Sequence, residues 1–281
     1  MTRTCTYCWR VGAALALTVV VGGCGGTGSK SPSTAVPAST VIGPAVPTPG
    51  PSTVDPRAGD KARLTTAQAL TLSRMLLKNE QAKGAVVETF VPFGPGATFT
   101  LRGPVDWAAD QGSFVMSTTR SDGVPVPDSR VIWDRGALLT EVAGLEPAMV
   151  AKGRPGVTFA QKALTPQAAS LDQIVAFVGS LAVDRAENPI LLRQGDTAFL
   201  GSKTVDGAAV DGYRFGKTRY WIDPASGLLR QVEARFARYD QSVVVTLRDH
   251  GPQTIELPSA SEVVDATTIP DVMATLTVPN P

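Results

Sequence analysis

Cysteine and histidine are scarce in this sequence, and their scarcity excludes several kinds of active site. The 281 residues include three cysteines and one histidine, His250. Transition-metal sites of the His/Cys type and Cys–His catalysis are therefore excluded, and a Ser-His-Asp triad would have to recruit His250 from a predicted turn. Asp106 and Asp110 are interpreted as ordinary surface carboxylates rather than a glycosidase pair. The nucleophile-elbow, P-loop and dinucleotide glycine motifs are also absent. We expect no catalytic residue, no metal and no cofactor.

Long apolar runs are missing as well. The apolar stretch from Val11 to Val21 is about half the roughly 20 residues that a membrane-spanning helix needs. Arg3 and Arg10 precede it, small residues follow it, and no acidic residue lies before position 24, which is the pattern of a secretory signal. Its end, Val21-Gly22-Gly23-Cys24, resembles a bacterial lipobox, which predicts an acylated Cys24 as the mature N-terminus. The alternative is an ordinary signal peptide with an incidental cysteine.

Excess charge is absent too. The 26 basic and 25 acidic residues give a net charge of +1, and removal of residues 1–23 leaves 24 basic and 25 acidic residues. Cys5 and Cys8 would leave with that segment, so an exported domain must fold without disulfides. Nothing in this charge balance indicates a polyanion-binding surface, and nucleic acid is not expected as a partner.

Large apolar residues are few between Gly25 and Asp60, where Pro, Ser, Thr, Gly and Ala dominate. Such a stretch cannot bury enough surface to offset its ordering entropy, which predicts a disordered tether. Its Ser/Thr-Pro content is also compatible with O-glycosylation. The predicted organisation is a signal peptide over 1–23, an acylated cysteine and tether over 24–61, and a folded domain over 62–281.

The folded domain begins with a helix and continues with strands. Thr65 and Gln68 have capping-box spacing, which predicts a helix over 66–82. Alternating patterns around 86–90, 99–107 and 114–118 predict half-buried antiparallel strands. The segment SRVIWDRGALLTEV predicts two further strands around a tight turn at Asp134-Arg135-Gly136.

The second half repeats this order with different lengths. Apolar residues at helical spacing predict an amphipathic helix over 171–181, and Asn188 and Pro189 predict the start of a second short helix. Five segments between 197 and 251 then predict strands, with a turn at 223–227. About ten strands with three short helices predict an α+β fold, because a large sheet coils under its own twist and the helices must bury their apolar stripes against it. The helices should therefore pack on the concave side of a half-barrel, where an apolar ligand cavity is expected.

This layout resembles the LppX/LprG-type lipoproteins of actinobacteria, which share the LolA/LolB-like half-barrel. The resemblance covers about residues 62–267. It is carried by the predicted lipobox, the tether, the element order and three segments, FLGSKTVDGAAVDGYRF, RYWIDPASGLLRQVEARF and VVVTLRDHGPQTIELPSASEVVD. These segments are strands and turns, so they specify the fold better than the ligand.

The resemblance implies an envelope lipoprotein, anchored to the outer face of the cell membrane, that carries acylated lipid or lipoglycan in an apolar cavity. It implies no enzyme activity, and we expect a monomer. The main alternative is an extracytoplasmic sensor or scaffold that binds a protein partner with the same fold. The candidate cavity residues are Leu72, Met75, Leu76, Phe99, Leu101, Phe114, Met116, Trp133, Ile174, Phe177, Val178, Leu181, Tyr213 and Phe215.

Overall fold

A single twelve-stranded sheet dominates the structure, a computed structural model that describes residues 63–93, 96–167, 170–236 and 242–276. The predicted signal segment, Cys24 and tether lie outside the described residues. Among the described helices, none is long and apolar enough to cross a membrane. The strands are β1 (Gly84–Phe93), β2 (Ala97–Asp106), β3 (Gln111–Arg120), β4 (Ser129–Asp134), β5 (Ala137–Glu141), β6 (Phe159–Ala163), β7 (Thr197–Val205), β8 (Ala208–Phe215), β9 (Thr218–Ile222), β10 (Leu229–Ala234), β11 (Val243–Arg248) and β12 (Val263–Asp265).

Two antiparallel meanders form this sheet. Strands β1 to β6 make the first and β7 to β11 the second, and β1 pairs with β11 to join them. Strand β12 pairs with β6 in parallel, so β12 and β7 are the outermost strands. The predicted α+β class, a large curved and mostly antiparallel sheet with few helices, is confirmed.

Several local predictions are also confirmed. Helix α1 spans Thr66–Ala82, and its capping box forms because the Gln68 amide donates to Thr65 Oγ1 while the Thr65 amide donates to Gln68 Oε1. Strands β4 and β5 are joined by Arg135-Gly136, both with positive φ, as a tight hairpin turn requires. The remaining helices are α2 (Leu145–Val150), α3 (Ser170–Gly179), α4 (Pro189–Gln194) and α5 (Pro270–Thr275), with 3₁₀ turns at Ala260–Glu262 and Ala266–Thr268.

One predicted boundary and one predicted count need correction. Helix α3 ends at Gly179, two residues earlier than predicted, although Leu181 is still buried. The strand count was too low, because burial does not alternate along β6 and β12 has only three residues. Together with α2 and α5 they enclose a second apolar cluster, which includes Leu145, Met149, Val264 and Val272.

The single histidine lies in the turn that follows β11. His250 is half-buried, and its pKa is lowered first by burial and then by the positive charge of Arg230. The folded chain therefore holds this imidazole neutral at a pH where the unfolded chain would protonate it. The interpretation of His250 as a structural rather than a catalytic residue stays a prediction.

This arrangement predicts a pH-dependent stability. The folded-state pKa lies below the unfolded value of about 6.5, so the unfolded state binds more protons and stability is lost as the pH falls through that value. The free energy of unfolding, from urea titrations, should therefore decrease between about pH 7.5 and pH 5.5. His250→Gln should flatten this dependence, and an equal slope in the variant and the wild type would contradict the assignment.

Candidate functional site

The inner face of the sheet and the helices α1 and α3 enclose one apolar core. Inward side chains alternate along each strand, so Phe99 and Leu101 on β2 face the same interior as Phe114 and Met116 on β3. All four are at most 2% exposed. This interior is where the sequence predicts a ligand cavity.

Most of the predicted cavity residues meet in this core. Eleven of them are buried within one cluster, namely Leu72, Met75, Phe99, Leu101, Phe114, Met116, Trp133, Ile174, Val178, Leu181 and Tyr213. Leu76 and Phe177 are partly buried and pack against it. Phe215 does not belong to it, since its side chain is 48% exposed near the β8–β9 turn. The interior is filled by the protein's own side chains.

Hydrogen bonds of three side chains, those of Trp107, Asn79 and Asp172, hold the helix α3 segment over the sheet. The Trp107 indole N–H donates to the Val178 carbonyl at 3.2 Å, just before the end of the helix. Asn79, fully buried on α1, donates through Nδ2 to the Leu181 carbonyl at 2.7 Å and accepts from the Leu229 amide at 3.3 Å. At the first turn of α3, buried Asp172 accepts from Lys162 Nζ at 2.7 Å and from the Thr165 amide at 2.8 Å. Both ends of this segment are thus tied to neighbouring elements.

Between these ties, large side chains separate the helix from the sheet. Glycine at position 179 is required here, because a Cβ would lie 2.7 Å from the Trp133 indole. Ile174 and Val178 on the same helix are fully buried. The Trp133 ring therefore reaches α3 across the interior, and the space between the two layers is occupied by rings and branched chains.

An aromatic rim continues this core towards solvent. We use this name for Phe177, Phe199, Tyr220 and Phe236, which are partly buried and pack against the core. Phe177 on α3 meets Phe236, which follows β10, edge to face at 5.2 Å between ring centres. Phe199 meets Tyr213 on the next strand at 5.5 Å, and Tyr213 is in turn the cross-strand partner of Tyr220.

Tyr220 of the rim and Tyr213 of the adjoining core both remain uncharged at neutral pH. Burial is the largest cause that raises the pKa of the Tyr220 phenol, and the charge of Glu187 acts in the same direction. Burial also raises the pKa of Tyr213, and the charge of Asp211 adds to it. The rim therefore presents apolar rings with neutral hydroxyl groups, which suits an apolar ligand with polar substituents.

Three cavities are lined by described residues, and none of the three lies between the helices and the inner face. One, of about 400 Å³, lies between the segment Val126–Ser129 and the segment Glu141–Pro147. Another, of about 620 Å³, is a groove on the outer face of β1 to β4. The third, of about 320 Å³, lies between β4 to β6 and the segment around Leu257. A ligand inside the core would therefore have to displace side chains that now fill it.

Asp106 and Asp110 lie in and beside the turn that follows β2. Asp106 Oδ1 accepts from the Ala109 amide at 3.0 Å and so stabilises the turn after β2. Burial, followed by the charge of Asp134, raises the pKa of Asp110 in the same turn. Within the described residues, no group of three or more His, Cys, Asp or Glu side chains could hold a metal ion.

Sequence reasoning missed most of the aromatic rim. Of its four members, only Phe177 belonged to the predicted set. Phe199 and Tyr220 each occupy a predicted strand, but Phe199 lies between Ala198 and Leu200 and Tyr220 is followed by Trp221, so no clean alternation marks them as inward residues. Phe236 follows the end of β10, and no local pattern indicates that its ring contacts α3.

No protein-family model matches the sequence, and no curated protein matches it either. Among solved structures, the chain is similar to LprF from Mycobacterium bovis, with a TM-score of 0.42 and 13% identity over 69% of this chain and 97% of that chain. It is also similar to MucB, with a TM-score of 0.33 and 12% identity over 70% of this chain and 63% of that chain.

A third similarity is to the MucA/MucB complex from Pseudomonas aeruginosa, with a TM-score of 0.30 and 14% identity over 69% of this chain and 59% of that chain. LprF is an LppX/LprG-type lipoprotein, and both LprF and MucB are LolA-like. The similarity to these structures concerns the fold alone.

Proposed function

We propose that this chain is an exported lipoprotein that binds acylated lipid or lipoglycan and carries it across the cell envelope. In this proposal the mature protein is a monomer anchored through acylated Cys24 to the outer face of the cell membrane, and residues 25–61 are its tether. Its role is binding and transfer, with no catalysis and no cofactor. The predicted signal segment and lipobox support the location.

The observation that carries the binding proposal is the aromatic rim at the margin of the apolar core. A core that served stability alone would gain by burying Phe177 and Phe199 completely, yet both remain partly exposed while they contact fully buried neighbours. Rings in such positions have room to rotate. An acyl chain can therefore bind at the margin of the core by displacing these rings, while the fully buried side chains behind them stay in place.

The energetics favour such an exchange. Displacing an edge-to-face ring contact such as Phe177–Phe236 costs about 0.5–1.5 kcal/mol. Each methylene group that leaves water contributes about 0.8 kcal/mol, so one or two buried methylenes offset the lost contact. A long acyl chain would then be retained firmly while the protein moves away from the membrane surface.

One prediction of this proposal concerns lipid retention. Phe177→Gln should lower the fraction of chain that co-purifies with lipid about tenfold, because the ring's apolar area no longer covers the bound chain. Native mass spectrometry of the full chain, purified from a bacterial host that exports it, measures this fraction. The thermal midpoint should change little, since Phe177 is only partly buried.

Phe90→Gln is the matched control for this experiment. Phe90 is 45% exposed and lies on the outer face, away from the core, so the same substitution there should leave lipid occupancy unchanged. Equal losses in the two variants would contradict a role for the rim. A wild-type chain that is reproducibly free of lipid would contradict the carrier proposal and favour the alternative of a protein-binding sensor or scaffold.

Another prediction of this proposal concerns the anchor. Cys24→Ala removes the thiol that would be acylated, so the variant should leave the membrane fraction or accumulate as an unprocessed precursor. Metabolic labelling with palmitate, followed by fractionation, measures both effects. If the variant labels and fractionates like the wild type, the lipobox assignment is wrong.

A further inference from the structure

The outer face of the sheet carries two arginines on one transverse row. Cross-strand pairing places Glu88 opposite Arg102, Arg102 opposite Val115, and Val115 opposite Arg130. Because side chains alternate along a strand, this row faces away from the core that contains Leu101 and Phe114. Neighbouring strands are about 4.8 Å apart, so the two arginine Cα atoms are about 10 Å apart, with Val115 between them.

Neither arginine forms an ion pair with a neighbouring carboxylate among the described residues, although the charge of Arg130 contributes to the lowered pKa of Glu262. Glu88, although directly opposite Arg102, is in an ion pair with Arg248, which also binds Asp206. Glu141, on the β5 side of Arg130, accepts from the backbone amide of Arg130 at 3.3 Å rather than from its guanidinium. Among the described residues, no carboxylate forms an ion pair with the guanidinium of Arg102 or Arg130.

Arg130 is nevertheless held in place. Its Nε donates to Ser113 Oγ at 3.3 Å, and one terminal nitrogen donates to the Glu256 carbonyl at 2.8 Å. These are neutral acceptors, so they orient the guanidinium while its charge remains available. Arg102 has an exposed side chain and no hydrogen bond to any described residue.

Both arginines border the same groove, the outer-face cavity of about 620 Å³. The hydroxyl groups of Thr100, Ser113 and Ser117 line it as well. Val115, 48% exposed, is the apolar residue between the two cations. The groove therefore combines two available positive charges with hydrogen-bond donors that can bind oxygen atoms.

We propose that this outer groove is an oxyanion site that takes a phosphate group between Arg102 and Arg130. Guanidinium groups bind phosphate oxygens through charge-assisted and often bidentate hydrogen bonds, and the serine hydroxyls can donate to the remaining oxygens. Glu88 also borders the groove and shares Arg248 with Asp206, but the two arginines outnumber this single carboxylate in the groove lining. The phosphate can belong to a free anion or to a phospholipid headgroup. Because this groove lies on the opposite face from the core, it stands independently of the lipid-carrier proposal.

Binding of inorganic phosphate to the full-length chain, measured by isothermal titration calorimetry, tests this site. We expect saturable binding that weakens with added salt. Arg102→Gln should weaken it about tenfold, as the loss of one charge-assisted contact implies. Arg102 has no polar partner in the described structure, so this variant should keep the wild-type thermal midpoint.

The double variant Arg102→Gln/Arg130→Gln should abolish phosphate binding. Its matched control is Arg74→Gln/Arg235→Gln, which removes the same charge from two exposed arginines outside the groove and should bind like the wild type. Absence of saturable phosphate and headgroup binding by the wild-type chain, or equal binding by the two double variants, would overturn the proposal.

Vesicles distinguish the two sources of phosphate. If the ligand is a headgroup, the chain should sediment more with phosphatidylglycerol vesicles than with phosphatidylcholine vesicles, and only the groove variant should lose this difference. If the ligand is a free anion, phosphate binding should depend on the groove while both double variants sediment alike. Either result supports the site.

Discussion

The ladder between β1 and β11 is the interaction on which the architecture depends. It joins residues 86–90 to residues 244–248. Without it the two meanders would be separate sheets, and each would have one additional exposed edge. On the outer face, Arg248 reinforces this seam through Glu88 on β1 and Asp206 after β7. The hydrogen bond and charge of Arg248 lower the pKa of Asp206, which keeps that carboxylate ionised. The apolar core, to which strands of both meanders contribute, needs this continuous sheet.

Features encoded within a few residues could be predicted from the sequence. The capping box at Thr65, the hairpin turn at Gly136 and the N-cap at Asn188 each form within one turn of backbone. Strands β6 and β12 could not be predicted in the same way, because they are short and their pairing depends on the rest of the sheet. On β1 the alternation was ambiguous, since Val86 and Phe90 are apolar but Ala85 and Val87 are the residues that face the core.

The candidate site was predictable to a similar extent. Periodicity identified core residues such as Ile174 and Met116, because burial on one face produces the pattern directly. Phe215 follows the same alternation but lies next to the turn into β9, where the sheet no longer covers it. The outer groove depends on the register of strands β1 to β4 and on the ion pair between Glu88 and Arg248. Neither is encoded in a local segment of the sequence.

The C-terminal part of the described chain has a consequence for the order of folding. Strand β11 pairs with β1, and β12 pairs with β6. Both edge strands of the first meander are thus paired by strands that lie within residues 243–265. Val263 from the same segment packs against Ile132, Leu139 and Phe159 on the outer side of β4 to β6. Synthesis and export both proceed from the N-terminus. The first meander therefore remains unpaired at both edges, and partly exposed to water on both faces, until β11 and β12 have emerged.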